Sequence, residues 1–262
     1  MFTDFGKANN KREPQNEKHI RLDRVLVDRG LVKSRERAKE LINSGKVLVG
    51  DKQVLRASFK CPVDVDIKTS GSDIPWVSRA GSKLDKALNV WSIKVAGCVC
   101  LDIGASTGGF TEVLLNAGAE KVYALDVSED QLDKGLQRHH KVVVVDGLNI
   151  RDVDADTFSE KFDIVTVDVS FISLEYVLPK LSFLLKKNGE AVVLVKPQFE
   201  VGKKRIGKGI VRDPVLHQEV VAKVKTKAKE EGLYPLDHTE SPIKGAKGNK
   251  EFLLYLRPRS ST

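Results

Sequence analysis

Cysteine is scarce in this 262-residue chain, and its three copies, Cys61, Cys98 and Cys100, form no Cys-x-x-Cys pair. Cys98 and Cys100 fall on one face of an expected strand, where small thiols pack as core. A reducing cytoplasm is the expected compartment. Long apolar runs are also missing. A membrane span needs about 20 apolar residues, whereas Val142–Val145 and Ala191–Val195 are only strand-sized. No membrane partner is expected. Met1–Lys18 is polar and charged, unlike a secretory signal peptide, so residues 1–19 are expected to form a disordered tail. His139-His140 read as the end of a helix, and no metal ligands are expected.

An apolar fraction of 41% is ordinary for a globular protein, and the length suits one α/β domain plus a smaller module. Net charge is +8, and residues 20–70 hold twelve lysines and arginines against seven acids. Such a surface attracts phosphate backbones or anionic lipid.

The small module is expected over residues 20–67. Leu22, Val25 and Leu26 have helical spacing, and Gly30 is placed to stop that helix. Ser34 is a good N-cap for a second helix, with Ala38, Leu41 and Ile42 on its apolar side and Gly45 as its stop. Val47 and Val49 alternate, Gly50-Asp51 turns the chain, and Val54-Leu55 start a return strand. Val63, Val65 and Ile67 alternate again. These residues resemble the S4 RNA-binding domain, with Gly-Asp where that family usually has Asn-Gly. The resemblance implies that Arg35, Arg37 and Lys39 face RNA phosphates.

Residues 68–78 read as a linker, and residues 79–258 as the larger domain. Strands are expected near 98–103, 121–126, 141–145, 163–168, 190–196 and 251–257, with helices near 82–91, 109–118, 129–138, 174–187 and 215–231. That rhythm argues for a parallel sheet with helices on both faces. Ligands of such sheets bind outside the carboxyl ends of the strands. There, Leu101-Asp102-Ile103-Gly104-Ala105-Ser106-Thr107-Gly108-Gly109-Phe110 runs from a buried strand through a glycine-rich turn into a helix. Small residues let such a turn approach a ligand closely. Val122–Asp126 ends the next strand in an acid, which can take both hydroxyls of a ribose. A nucleoside-containing cofactor follows.

Four charges occupy unexpected places. Asp168 follows Ile164–Val167, and Lys196 follows Val192–Val195, so each projects from the carboxyl end of a buried strand. Lys83 stands near a helix start, where the dipole opposes a cation, and Glu251 begins the last strand. This Lys-Asp-Lys-Glu set resembles the catalytic tetrad of FtsJ-type RNA 2′-O-methyltransferases. The whole chain resembles the TlyA family, in which an S4 domain precedes such a domain. The residues that carry this resemblance are Leu101–Phe110, Asp168–Leu174, Lys196–Glu200, Gly209–Asp213, Ser241-Pro242-Ile243 and Gly248–Phe252.

The fold so implied is α/β, a Rossmann-like methyltransferase sheet behind a small α+β S4 domain. The cofactor implied is S-adenosyl-L-methionine, and the partner is ribosomal RNA within ribosomal subunits, with a cytidine ribose as acceptor. Lys83, Asp168, Lys196 and Glu251 become the catalytic set. Lys196 acts either as general base or as a cation that steers the hydroxyl. Asp102, Gly104, Ala105, Ser106, Thr107, Gly108, Gly109, Phe110, Asp126, Asp146, Asn149 and Asp168 become the cofactor site. Arg79 and Phe199 join the RNA-facing set, and the basic loop Gly202–Gly209 reads equally as a lid over the RNA or as a disordered loop. The sequence departs from the family in Ser128–Leu132, Gly147-Leu148-Asn149 and Ala80-Gly81, where Gly-Tyr-Gly-Gln-Leu, Arg-Thr-Asn and paired glycines are usual. Two other functions stand beside this one: a hemolysin-like membrane-perturbing protein and a non-catalytic RNA-binding assembly factor. A nicotinamide dehydrogenase fits poorly, because Ala105-Ser106 breaks the Gly-x-Gly-x-x-Gly spacing.

Overall fold

The structure is a computed structural model, and it describes residues 19–32, 34–70, 76–202, 205–206 and 209–259. Two compact units divide the chain between residues 72 and 73.

The first unit contains β1 (His19–Arg21), α1 (Leu22–Asp28), α2 (Arg35–Asn43), β2 (Val47–Val49), β3 (Lys52–Gln53), β4 (Lys60–Pro62) and β5 (Ile67–Thr69). Its core is Leu22, Val25, Leu26, Ala38, Leu41, Ile42, Val47 and Cys61. Ser34 caps α2 by accepting the Arg37 amide at 3.2 Å. The tight turn at Gly50-Asp51 pairs Val49 with Lys52, so the return strand ends just before the expected Val54-Leu55. Val63 and Val65 lie in the connection between β4 and β5 and not in a strand with Ile67. Lys68 and Thr69, expected in the linker, pair with Leu48 and Val47, and His19, expected in the tail, pairs with Pro62. The rest of the tail and residues 71–75 lie outside the described residues.

The second unit is built on α3 (Gly81–Trp91), β6 (Val99–Ile103), α4 (Gly109–Asn116), β7 (Lys121–Asp126), α5 (Lys134–Gln137), β8 (Val142–Asp146), β9 (Phe162–Val167), α6 (Leu178–Leu184), β10 (Leu185–Val195), α7 (Pro197–Glu200), α8 (Pro214–Glu230), β11 (Leu233–Glu240) and β12 (Phe252–Pro258). Seven strands form one sheet in the order β11-β12-β10-β9-β6-β7-β8. Neighbours from β10 to β8 are parallel, and β12 is antiparallel to both β10 and β11. The parallel sheet expected from the rhythm thus has one antiparallel edge. Alternate strand residues serve opposite faces. Leu101, Val165, Val193 and Leu254 pack with Leu178, Leu181 and Val224, on the α6 and α8 side. Cys100, Ile164, Val192 and Leu253 pack with Leu84, Phe110 and Val113, on the α3 and α4 side.

Two expected helices are shorter than their spacing suggested. Residues 128–132 leave the helical path because the Asp126 and Asp146 carboxylates hold the amides of Ser128 and Asp130, and Asp130 takes a φ of 56°. Only Lys134–Gln137 remain helical. Near 174, a 3₁₀ turn at Leu174–Tyr176 precedes α6, and Leu185 already pairs with Phe162 as sheet. Strand β11 was not expected. It lies at the sheet edge, where Pro235 sits next to a break in register and its missing donor is tolerated, so its sequence lacks clean alternation.

Candidate active site

Chain order makes the site. From β6 the chain runs outward through β7 to β8, then crosses back to β9 on the other side of β6. A crevice opens at such a reversal, outside the carboxyl ends of the strands. Asp168 follows β9 there and donates its amide to Ile103 at 3.0 Å, while Lys196 follows β10. Because β12 runs antiparallel, Val195 lies opposite Phe252. The amino end of β12 thus brings Glu251 to the same edge as Lys196.

The four charges form one connected chain. Lys196 Nζ lies 2.6 Å from Asp168 Oδ1, Asp168 Oδ2 lies 3.3 Å from Lys83 Nζ, and Lys83 Nζ lies 2.8 Å from Glu251 Oε2. All four side chains are at least 87% buried. Burial works against the positive charge of Lys83, yet the attraction of Asp168 and Glu251 outweighs it and holds the ammonium above the ordinary lysine range. Burial likewise opposes the Asp168 carboxylate, and Lys83 and Lys196 outweigh it and hold its carboxyl below the usual range. Lys196 also donates to Ser170 Oγ at 2.8 Å. Two of the three ammonium N–H groups are thereby used, which leaves one for a ligand.

Beside Asp168 lies a cavity of about 520 Å³, within the range of small-molecule sites. Five of the expected cofactor residues line it: Gly104, Ser106, Asp126, Asn149 and Asp168. Asp126 accepts the Ser106 and Ser128 amides at 2.8 Å each, which fixes the carboxylate while lone pairs remain for a ligand. These residues fit S-adenosyl-L-methionine: a carboxylate for ribose hydroxyls, Leu148 and Ile150 for an adenine face, and acids for a sulfonium.

The other seven do not line the cavity, and packing explains why. Asp102 is fully buried and accepts from Thr111 at 2.7 Å and Thr166 at 2.8 Å; it ties α4 and β9 to β6. Phe110 is core, and Ala105 packs with Leu132 and Leu136. Thr107 accepts the Asp133 amide at 3.3 Å, and Asp146 accepts the amide of Asp130. Gly108, at φ 94°, sits against Leu136 and Leu132, where a Cβ would clash. A Cβ on Gly109 would stand 2.9 Å from the Gly81 amide nitrogen. Both glycines pack closely against neighbouring segments, outside the lining of the cavity.

The RNA-facing set is placed unevenly. Lys39 and Arg79 are exposed. Arg35 is mostly exposed but bonds the buried Asp23 at 3.1 Å. Arg37 is 12% exposed and bonds Glu40, so it is largely covered. Phe199 is half-buried, with its ring centroid 5.2 Å from that of Phe171. In the loop, Lys203, Lys204, Gly207 and Lys208 lie outside the described residues, and Arg205 is paired with Glu219.

Sequence reasoning assigned no role to several residues that shape the site. Phe171 takes a φ of 65° and is 92% exposed at the cavity mouth, a strained placement for an aromatic residue. Glu200 accepts from Ser173 and from the Leu174 amide, which fixes the loop that carries Ser170 and Phe171. Asn249 holds the Gly209 carbonyl and the Val211 amide at 3.0 Å each. All fall inside the segments that carry the family resemblance, which was the available signal.

A family model for the FtsJ-like methyltransferase matches residues 76–258, and one for the S4 domain matches residues 20–67. The 16S/23S rRNA (cytidine-2′-O)-methyltransferase TlyA of Mycobacterium tuberculosis is 42% identical, over 93% of this chain and 91% of its own. Hemolysin A of Brachyspira hyodysenteriae is 40% identical, over 90% and 99%. A solved structure from Streptococcus thermophilus that carries a hemolysin name superposes with a TM-score of 0.76 at 38% identity, over 94% and 90%. No helix among the described residues is long and apolar enough to cross a membrane. The chain belongs to the FtsJ-like methyltransferases, in the TlyA group that carries an S4 domain ahead of the methyltransferase unit.

Proposed function

We propose that this protein methylates a ribose 2′-hydroxyl of ribosomal RNA, at a cytidine, with S-adenosyl-L-methionine as donor and ribosomal subunits as substrate in the cytoplasm. The carrying observation is the buried chain Lys196–Asp168–Lys83–Glu251, whose Asp168 lines a cavity that Asp126 also lines.

The donor supplies an electrophilic methyl group on a sulfonium. A ribose hydroxyl is a poor nucleophile at neutral pH, so its oxygen must be aimed and its proton lost as the methyl arrives. Lys196 donates its remaining N–H to the 2′-oxygen and aims the free lone pair, and the hydroxyl proton leaves to water. Asp168 and Ser170 hold Lys196 in one orientation. Lys83 adds positive potential where negative charge develops on the oxygen, in a site of low dielectric, and Glu251 keeps Lys83 in place. Arg79, Lys39 and Arg35 serve the RNA backbone, and Phe199 with Phe171 offers aromatic faces to an unstacked base.

Incubation with labelled donor and purified ribosomal subunits, followed by mapping of alkali-resistant linkages, tests the reading. Label at a cytidine 2′-oxygen is expected. Absence of label, or label on a base, contradicts it.

A further inference from the structure

Gln198 is buried in the site, and its carbonyl oxygen, Oε1, has no hydrogen-bond partner among the described residues. It lies in α7, two residues beyond Lys196, and is 8% exposed. An acceptor stranded in this way is costly, and buried polar groups are rarely left so unless a ligand completes them. Gln198 is also one of the residues that line a second cavity, with Phe171, Ile172, Ser173, Phe199 and Asn249. Phe171, Ile172 and Ser173 also line the donor cavity, so the two spaces adjoin at the Lys196 side of the site.

We propose that Gln198 reads the base of the nucleotide under methylation, by accepting a hydrogen bond from an exocyclic amino group, and so selects cytosine over uracil. The inference rests on the ribose-methylation reading above. Position supports it, because the base hangs from the same sugar as the 2′-hydroxyl that Lys196 holds. The walls support it as well. Phe171 and Phe199 place their ring centroids 5.2 Å apart, and aromatic side chains stack single unpaired bases. The missing partner supplies the chemistry. Cytosine presents an amino donor where uracil presents a carbonyl. In the amide orientation seen here, with Oε1 turned inward and unpaired, a uracil carbonyl would meet an acceptor and pairs only if the amide turns over to offer its NH2 group, whereas sites built around a set hydrogen bond discriminate strongly.

The test uses the full chain, labelled donor and ribosomal subunits that carry either cytidine or uridine at the mapped nucleotide. The wild-type protein is expected to favour cytidine roughly ten- to hundredfold, the range of one base-edge contact. Gln198→Leu and Gln198→Met, which keep shape but no acceptor, are expected to lose most of that preference with unchanged donor affinity by titration. Gln198→Glu retains an acceptor and is expected to keep the preference. A preference unchanged in whichever apolar variant folds overturns the inference, while wild-type methylation leaves the broader reading intact. A wild-type protein that labels no 2′-oxygen defeats the broader reading itself.

Discussion

Asp102 has no exposed surface, and its carboxyl is held by two threonine hydroxyls. Burial pushes it up from 3.8 to about 6, despite the bonds from Thr111 and Thr166. Between those two values the folded protein keeps a proton that the unfolded chain has lost. Stability from this group therefore falls as pH rises from about 4 to 6, by about 3 kcal/mol in total. Asp102→Asn lacks that loss. The difference in unfolding free energy between the two proteins, measured by denaturant titration, should shift toward the asparagine variant by that amount between pH 4 and 7. A flat difference would show that the carboxyl is not destabilised as an anion. The residue also shows the limit of reading charge in a strand. Asp102, Asp168 and Lys196 all interrupt or follow apolar runs, and local sequence treats them alike. Only the identity of the neighbouring strand and helix separates an inward tie from a charge placed at the cavity edge.

The active-site edge depends on one antiparallel strand. Strand direction is set by the long α8–β11 excursion, and no residue in β12 states it locally. Glu251 was therefore legible as a strand-edge acid, but its route to Lys83 was not. Two neighbouring features hold it in place: its carbonyl accepts the Ser241 amide at 2.8 Å, and Gly245 packs directly against its carboxylate. A methyl on Gly245 needs space that Glu251 now fills. Gly245→Ala should reduce the methyl-transfer rate by at least tenfold, within the range of a lost positioning contact, with donor binding by titration little changed. A rate equal to wild type would mean that Glu251 does not support Lys83. Glu200 acts similarly on the opposite loop, which explains how a short α7 carries so many residues of the site. The missed β11 and the overextended helices at 129–138 and 174–187 share a cause. In each, a side-chain bond, a bulge or an early strand pairing overrode the local spacing.

At the scale of the molecule, the chain forms two compact units that divide between residues 72 and 73, inside the stretch that reads as a linker. The turn variant Gly50-Asp51 left the S4 pattern readable, whereas the facing of each arginine was not readable, because helical spacing gives a face and not a partner. Lys39 is exposed and Arg37 is covered, so their replacement should act differently. Lys39→Ala should lower the slope of log affinity for RNA against log salt by roughly 0.7–0.9, one phosphate's share. Arg37→Ala should leave that slope unchanged and act on the stability of the S4 unit. Equal slopes for wild type and Lys39→Ala would remove this face of α2 from the RNA interface. In the proposed reaction Lys196 is the group that aims the ribose oxygen. Its most direct test is Lys196→Ala, assayed in parallel for donor binding by calorimetry and for methyl transfer to ribosomal subunits. Binding close to wild type with transfer reduced by about 10²–10⁴ is the predicted result. Transfer at the wild-type rate would contradict the account.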